Sequence, residues 1–126
     1  MAKRETPVIL VIEDYPDTRD LLSSLLRTKG YTVVEACDGK EGLRQANRVK
    51  PDLILMDLAL PALDGVEATR QIRQRDKLSQ TPIFAISSFA TTEVAGDAIA
   101  AGCTEVFRKP IEIEPFLGKI RAVLKG

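Results

Sequence analysis

Five short apolar runs recur along this chain, and a segment with helical spacing of its apolar residues follows each one. The runs lie at residues 8–12, 31–36, 52–57, 82–87 and 106–107. Most are nearly all apolar or β-branched, as expected of strands buried on both faces of a sheet. Strands that alternate with helices form a parallel sheet covered on both faces. We therefore predict a doubly wound α/β fold of strand order 2-1-3-4-5, in which ligands bind where the first and third strands end.

Helices are predicted at residues 16–29, 40–49, 66–75, 92–101 and 112–124. In the first helix we expect one inward stripe, made by Leu21, Leu22, Leu25 and Leu26. In the last helix we expect five inward residues, Phe116, Leu117, Ile120, Val123 and Leu124. A basic run on the third helix is expected to be a solvated face, and it consists of Arg70, Arg73, Arg75 and Lys77.

Composition limits the function classes. A chain of 126 residues suits one domain, here predicted to be residues 1–126. Basic and acidic residues number 18 each, so no overall field favours direct nucleic-acid binding. The apolar runs are far shorter than the ~20 residues of a membrane span, which argues against a membrane protein. The first residues lack the apolar stretch of a signal peptide, so we expect a cytoplasmic protein.

Two cysteines and no histidine are present. Cys37 follows the second strand and Cys103 precedes the fifth, and these strands are opposite edges of the predicted sheet. Four strand spacings of ~4.8 Å would separate them, well beyond disulfide reach. We therefore expect two reduced thiols. The absence of histidine removes the commonest general base and metal ligand.

Reactive side chains follow four of the predicted strands. Glu13 and Asp14 follow the first, Asp57 ends the third, Ser87 ends the fourth and Lys109 follows the fifth. Because parallel strands have their carboxyl ends at one edge, these five side chains should meet there. An adjacent acidic pair alone would be read as a solvated loop, and an isolated lysine as a surface residue. A third acid at the end of the neighbouring strand favours a cluster.

This predicted cluster suits a divalent cation and a phosphoryl group. Mg²⁺ prefers octahedral oxygen ligands, usually one or two carboxylates with water and phosphate oxygens. Asp14 and Asp57 would bind it directly, Glu13 would hold a coordinated water, and the Ala59 carbonyl would supply another ligand. Asp57 would be the nucleophile, which gives an aspartyl phosphate. Lys109 would offset the transferred charge, and Ser87 would donate its hydroxyl to a phosphoryl oxygen.

The order and spacing of these residues resemble the receiver domain of two-component response regulators, the CheY-like family. Any one piece is a weak signal, whereas all of them in order are specific. The resemblance extends from residue 8 to about 124 and implies a flavodoxin-like (βα)5 sandwich. The matching pieces are Glu13-Asp14, Asp57, the loop that runs through Pro61 to Asp64-Gly65, Ser87, and Lys109-Pro110.

The resemblance implies a signalling role in a phosphorelay. A histidine kinase or a histidine phosphotransfer protein would donate the phosphoryl group, docking near Tyr15, Pro16, Leu22 and Ile111. The face made by the fourth helix, fifth strand and fifth helix would then bind a downstream protein. The chain would be a monomer or a weak phosphorylation-dependent dimer. It would not be an enzyme, apart from catalysing its own phosphorylation and dephosphorylation.

One position departs from the family pattern. Many relatives carry an aromatic residue three positions before the lysine, where this chain has Val106 and then Phe107. The resemblance therefore implies a weaker switch, or one that uses Phe89 in the loop 88–91.

Two other function classes remain open. A receiver-like module could act as a phosphate-independent binding protein, although the complete set of charged residues argues against it. An aspartate-nucleophile phosphatase would need a second acid two positions after Asp57, where this chain has Ala59.

Overall fold

The computed structural model describes residues 5–60, 63–88 and 91–124. Five strands are formed in this part of the chain: β1 Val8–Ile12, β2 Thr32–Ala36, β3 Leu53–Asp57, β4 Ile83–Ser87 and β5 Glu105–Arg108. The helices are α1 Pro16–Thr28, α2 Gly39–Val49, α3 Gly65–Arg73, α4 Thr92–Ala101 and α5 Ile113–Leu124. A short 3₁₀ turn, Asp76–Leu78, follows α3. The predicted alternation of strands and helices is confirmed.

The strands form one parallel sheet of order β2-β1-β3-β4-β5, as predicted. Register places Ile12 opposite Met56 in β3, and Asp57 opposite Ile86 in β4. The chain order reverses between β1 and β3, so the residues after these two strands face the same crevice.

Two layers of apolar side chains hold the helices against the sheet. On one face Leu10 and Ile12 of β1 pack with α2, α3 and α4, while on the other Ile9 and Val11 pack with α1 and α5. This alternation follows from the two-residue period of a strand. Gly42 in α2 allows close helix–sheet contact, because an added Cβ would lie 2.6 Å from Cδ1 of Ile12. The strand ends are thereby fixed on a rigid scaffold.

The prediction of core positions is wrong for two residues, which the structure shows to be exposed. Leu21 is 74% exposed, because α1 turns it toward a groove beside residues 110–113 while Leu22 and Leu26 face the sheet. Val123 is 37% exposed, because the inward stripe of α5 is made by Phe116, Leu117, Ile120 and Leu124.

The basic run is not a uniformly solvated face, because Arg73 is half-buried. Arg73 donates from Nε to the Gly102 carbonyl (3.0 Å) and from Nη1 to the Leu78 carbonyl (2.8 Å). Burial lowers the pKa of its guanidinium, and the Cys103 thiol opposes that shift. Arg73 therefore ties α3 to the corner between α4 and β5. Arg75 and Lys77 lie beyond the end of α3, which stops at Arg73.

Both cysteines are free thiols, as expected: Cys37 is exposed and Cys103 is buried. Among the described residues, no helix is long and apolar enough to cross a membrane.

Candidate functional site

Three carboxylates meet at the crevice between β1 and β3. Glu13 and Asp14 directly follow β1, and Asp57 is the last residue of β3. One oxygen from each of the three lies within 4.8 Å of the others. Glu13 and Asp57 are buried, whereas Asp14 is exposed. The cluster is therefore open to solvent on the Asp14 side and enclosed on the other.

Fixed donors orient the two buried carboxylates. Asp57 accepts from the Ala59 backbone N–H at Oδ1 (2.9 Å) and from Lys109 Nζ at Oδ2 (3.1 Å). Glu13 accepts from Lys109 Nζ at Oε1 (3.1 Å) and from the Tyr15 backbone N–H at Oε2 (3.1 Å). One ammonium thus bridges two carboxylates from different strands, which fixes the distance between them.

The β4–β5 pairing positions Lys109. Its backbone N–H donates to the Ser87 carbonyl (3.0 Å), which extends the ladder one residue past β5. Burial alone would lower the pKa of Lys109, but its hydrogen bonds and ion pairs with Asp57 and then Glu13 outweigh burial and raise that pKa. Lys109 therefore stays cationic across the physiological pH range.

The same surroundings raise the pKa of Glu13. Burial is the largest cause, and the hydrogen bond and charge of Asp57 add to it. The Tyr15 backbone N–H and Lys109 act in the opposite direction. Glu13 and Asp57 are close together with one cation between them, so a second cation would reduce the repulsion between their carboxylates.

The loop after Asp57 packs tightly under the site. Leu58 N–H donates to the Ile86 carbonyl (3.0 Å), and Gly65 N–H donates to the Leu58 carbonyl (3.1 Å). A Cβ at Gly65 would lie 2.6 Å from the Asp57 carbonyl oxygen, so only glycine fits without a shift of the backbone. Asp64 then caps α3 by accepting from the Glu67 N–H (2.9 Å). Pro61, part of the predicted loop pattern, lies outside the described residues.

Ser87 is buried at the end of β4, in register with Arg108 and on the same edge as the acids. Ser88 is exposed, and Phe89, a candidate for the switch, lies outside the described residues. The structure thus brings Glu13, Asp14, Asp57 and Lys109 together and places Ser87 at the adjacent strand end.

Sequence reasoning missed two supporting contacts. Arg19 donates from Nη1 to the Glu13 backbone carbonyl (2.9 Å), which anchors the turn between β1 and α1. Its only sequence signal is an arginine one turn into the helix after the acidic pair. The Tyr15 backbone N–H leaves no signal, because any residue except proline could supply it.

The donor set fits a hard divalent cation. All three clustered groups offer carboxylate oxygens, and no sulfur or imidazole ligand lies among them. Mg²⁺ is bound in proteins by such oxygens, with water filling the remaining positions. The exposed Asp14 leaves an open side for those waters.

Comparison with known proteins decides the family. The response regulator receiver domain model matches residues 9–121. The chain belongs to the response regulator receiver family. The predicted resemblance and its flavodoxin-like fold are both confirmed. Receiver domains bind Mg²⁺ in an acidic pocket, in agreement with the cluster of Glu13, Asp14 and Asp57 in this chain. Receiver domains are not classical enzymes.

Two relatives show how far the similarity extends. The receiver is 32% identical over 119 residues to the DNA-binding dual master transcriptional regulator RpaA of Synechocystis sp., covering 94% of this chain and 49% of that protein. It is 33% identical over 120 residues to protein PilH of Pseudomonas aeruginosa, covering 94% of this chain and 98% of PilH. The chain thus spans about half the length of RpaA and nearly all of PilH.

A solved structure bears on the metal. The receiver domain of sensor histidine kinase PA1611 from Pseudomonas aeruginosa superposes with a TM-score of 0.89 at 31% identity, over 96% of this chain and 99% of that one. That structure has a magnesium ion coordinated in its active site cleft.

Proposed function

We propose that residues 1–126 act as one phosphoacceptor receiver in the cytoplasm, which takes a phosphoryl group onto Asp57 from a histidine kinase or a histidine phosphotransfer protein. Family membership supports the signalling role. The observation that carries the proposal is the Lys109 ammonium, 3.1 Å from both Glu13 and Asp57, at the edge of a three-carboxylate cluster.

In the proposed transfer, a carboxylate oxygen of Asp57 forms a new bond to phosphorus as the phosphorus–nitrogen bond of the donor phosphohistidine breaks. The electron pair of that bond stays on the imidazole nitrogen. The Ala59 N–H holds Oδ1 of Asp57, and Lys109 holds Oδ2, so the nucleophile is oriented before the donor arrives. Lys109 then offsets charge on the phosphoryl oxygens.

The metal ligands in this proposal are Asp14 and Asp57 directly, Glu13 through water, and the Ala59 carbonyl. Bound Mg²⁺ would offset negative charge shared between the phosphoryl oxygens and Asp57. Ser87 would donate its hydroxyl to a phosphoryl oxygen after transfer. This movement would link the chemistry to the chain between β4 and α4.

A groove of about 520 Å³ lies where we propose that the phosphodonor docks. It is lined by Leu21, Leu22 and Leu25 of α1 and by Pro110, Ile111 and Ile113 after β5, and Lys109 lies at its edge. Leu22 and Ile111 belong to the predicted docking patch. Tyr15, also in that patch, is exposed beside Glu13. An apolar surface next to the phosphoacceptor suits a helical donor domain.

The α4–β5–α5 face is the proposed output surface. Ile99 of α4 is exposed, although a lone surface helix usually keeps such residues inward. Val106 packs toward the α2–α4 side of the sheet, whereas Phe107 packs on the other side, with its ring centroid 4.9 Å from that of Phe116. The β5 position facing α4 therefore lacks an aromatic side chain, so any aromatic coupling would run toward α5.

Incubation with acetyl phosphate and Mg²⁺ tests this function. We expect intact-mass spectrometry to show one added phosphoryl group, lost in Asp57→Asn and retained in Asp76→Asn, a matched change at an exposed acid. No gain, or a gain that survives Asp57→Asn, contradicts the proposal. Amide spectra that do not change on addition of Mg²⁺ with beryllofluoride would favour the phosphate-independent binding module instead.

A further inference from the structure

A basic pocket lies at the edge of the sheet opposite Asp57. Lys50 precedes β3, whereas Asp57 ends it, so the two residues lie at opposite ends of that strand. The pocket has a volume of about 320 Å³ between the end of α2 and the turn after α3. It is lined by Asn47, Lys50, Gln74, Arg75, Asp76, Lys77 and Leu78, and we call it the α2–α3 pocket.

Charge is concentrated around this pocket although the whole chain is neutral. Residues 44–50 and 74–78 contain five basic side chains and one acidic side chain, Asp76, in a chain with 18 of each. Arg44 and Arg48 are also exposed on α2, the helix that contributes Asn47 to the pocket. A local excess of this kind attracts anions at short range.

Helix ends alone do not account for these cations. Cations in the last turn of a helix complement its dipole, and that effect fades beyond the turn. Arg48 already fills this role in α2, as Arg70 and Arg73 do in α3. Lys50 lies outside α2, and Arg75 and Lys77 follow the end of α3. The pocket therefore carries more positive charge than the two helices require.

Within the described ranges 5–60, 63–88 and 91–124, no carboxylate lies within ion-pair distance of Lys50, Arg75 or Lys77. The Lys50 ammonium instead donates a hydrogen bond to the Asn47 backbone carbonyl (3.1 Å). Lys50 also adopts a left-handed backbone, φ 48°, where glycine would avoid steric strain. The chain thus holds a lysine in an unfavourable conformation beside two other cations, and the described part of the chain places no carboxylate within ion-pair distance of them.

We propose that the α2–α3 pocket binds the phosphate groups of a soluble di- or polyphosphate, without metal and independently of Asp57. The Arg75 guanidinium can bind two phosphate oxygens at once, and Lys50 and Lys77 supply point charges. The side-chain amides of Asn47 and Gln74 add neutral donors. A single phosphate leaves part of this donor set unused, so a chain of two or more phosphates is the preferred ligand.

The test is a titration of metal-stripped protein with sodium tripolyphosphate, in which amide chemical shifts report binding. At ~0.05 M salt, where charges are screened less than at physiological ionic strength, we expect saturable shifts centred on residues 47–50 and 74–78. Arg75→Gln and Lys77→Gln should each weaken binding about 3- to 10-fold. Lys29→Gln is the matched control, because Lys29, like Lys77, is an exposed lysine that follows the end of a helix, but it does not line the pocket. It should leave the affinity within about 2-fold.

Several results overturn the proposal. Equal loss in Lys29→Gln would show a response to overall charge. Equal affinity for orthophosphate would show an adventitious ion only. Shifts centred on Asp57 would assign the anion to the acidic crevice. Binding to anionic phospholipid vesicles without binding to tripolyphosphate would identify a membrane surface instead. Because the titration contains neither Mg²⁺ nor a phosphodonor, its outcome is separate from that of the phosphotransfer test.

Discussion

Replacement of Lys109 by methionine is the sharpest structural test of the acidic cluster. Methionine keeps most of the length of the side chain but removes the ammonium that bridges Glu13 and Asp57 at 3.1 Å to each. The Lys109 side chain is 25% exposed, and those of Glu13 and Asp57 are 6% and 8% exposed. The substitution therefore leaves two enclosed carboxylates facing each other without a cation.

Hydrogen bonds to charged groups contribute about 1.5–3 kcal/mol each, and breaking an enclosed pair on one side costs about 3–5 kcal/mol. Two responses reduce that cost: water enters through the open Asp14 side, and Glu13, whose pKa is already raised, takes up a proton more readily. We therefore expect Lys109→Met to lose about 2–3 kcal/mol of unfolding free energy at neutral pH without metal. Saturating Mg²⁺ should recover at least about 1 kcal/mol, because it supplies the missing positive charge.

Urea denaturation of metal-stripped protein, with and without Mg²⁺, measures both quantities. Lys119→Met is the matched control, because it removes a lysine whose ion pair with Glu105 (3.5 Å) is largely exposed. That control should lose less than about 0.5 kcal/mol and show no selective recovery with metal. The electrostatic reasoning is refuted if Lys109→Met is as stable as the control, or if Mg²⁺ stabilises both variants equally.

Three further outcomes follow from the packing and charges. Gly65→Ala should lose about 2 kcal/mol or more in urea denaturation because its Cβ would strike the Asp57 carbonyl, whereas Gly96→Ala, with nothing within 4 Å, should gain about 0.5–1 kcal/mol. Arg73→Met should cost about 1–2 kcal/mol through the loss of its two hydrogen bonds to the Gly102 and Leu78 carbonyls, and a loss of the same size in Arg70→Met would contradict that assignment. Mg²⁺ affinity measured by calorimetry should fall as the pH drops through the Glu13 pKa, and because burial and Asp57 raise that pKa, the fall should begin at higher pH than for an ordinary glutamate.

The fold was predictable because its signals are local. Apolar runs of five or six residues define four of the strands and a two-residue run marks the fifth, and the rules for parallel sheets then determine which ends meet. The positions of Glu13, Asp57 and Lys109 follow from that topology alone, since each lies at or next to the carboxyl end of its strand.

Other features depend on which distant residue comes close, and local patterns do not contain that information. Arg73 looks like any helix-surface arginine until Gly102 and Leu78, from two separate turns, come within hydrogen-bond distance. Leu21 fits an apolar stripe by spacing, yet α1 is rotated so that Leu22 and Leu26 fill the core. The supporting hydrogen bonds from the Tyr15 and Ala59 backbones are invisible because they use no side chain.

The central claim is that Asp57 is the phosphoacceptor of this acidic crevice. Borohydride reduction after reaction with acetyl phosphate and Mg²⁺ converts an acyl phosphate to an alcohol, and peptide mass spectrometry then locates the reduced residue. We predict reduction at Asp57 alone, dependent on Mg²⁺. Reduction at Glu13 or Asp14, or none at any carboxylate of a protein that has gained a phosphoryl group, would contradict the account.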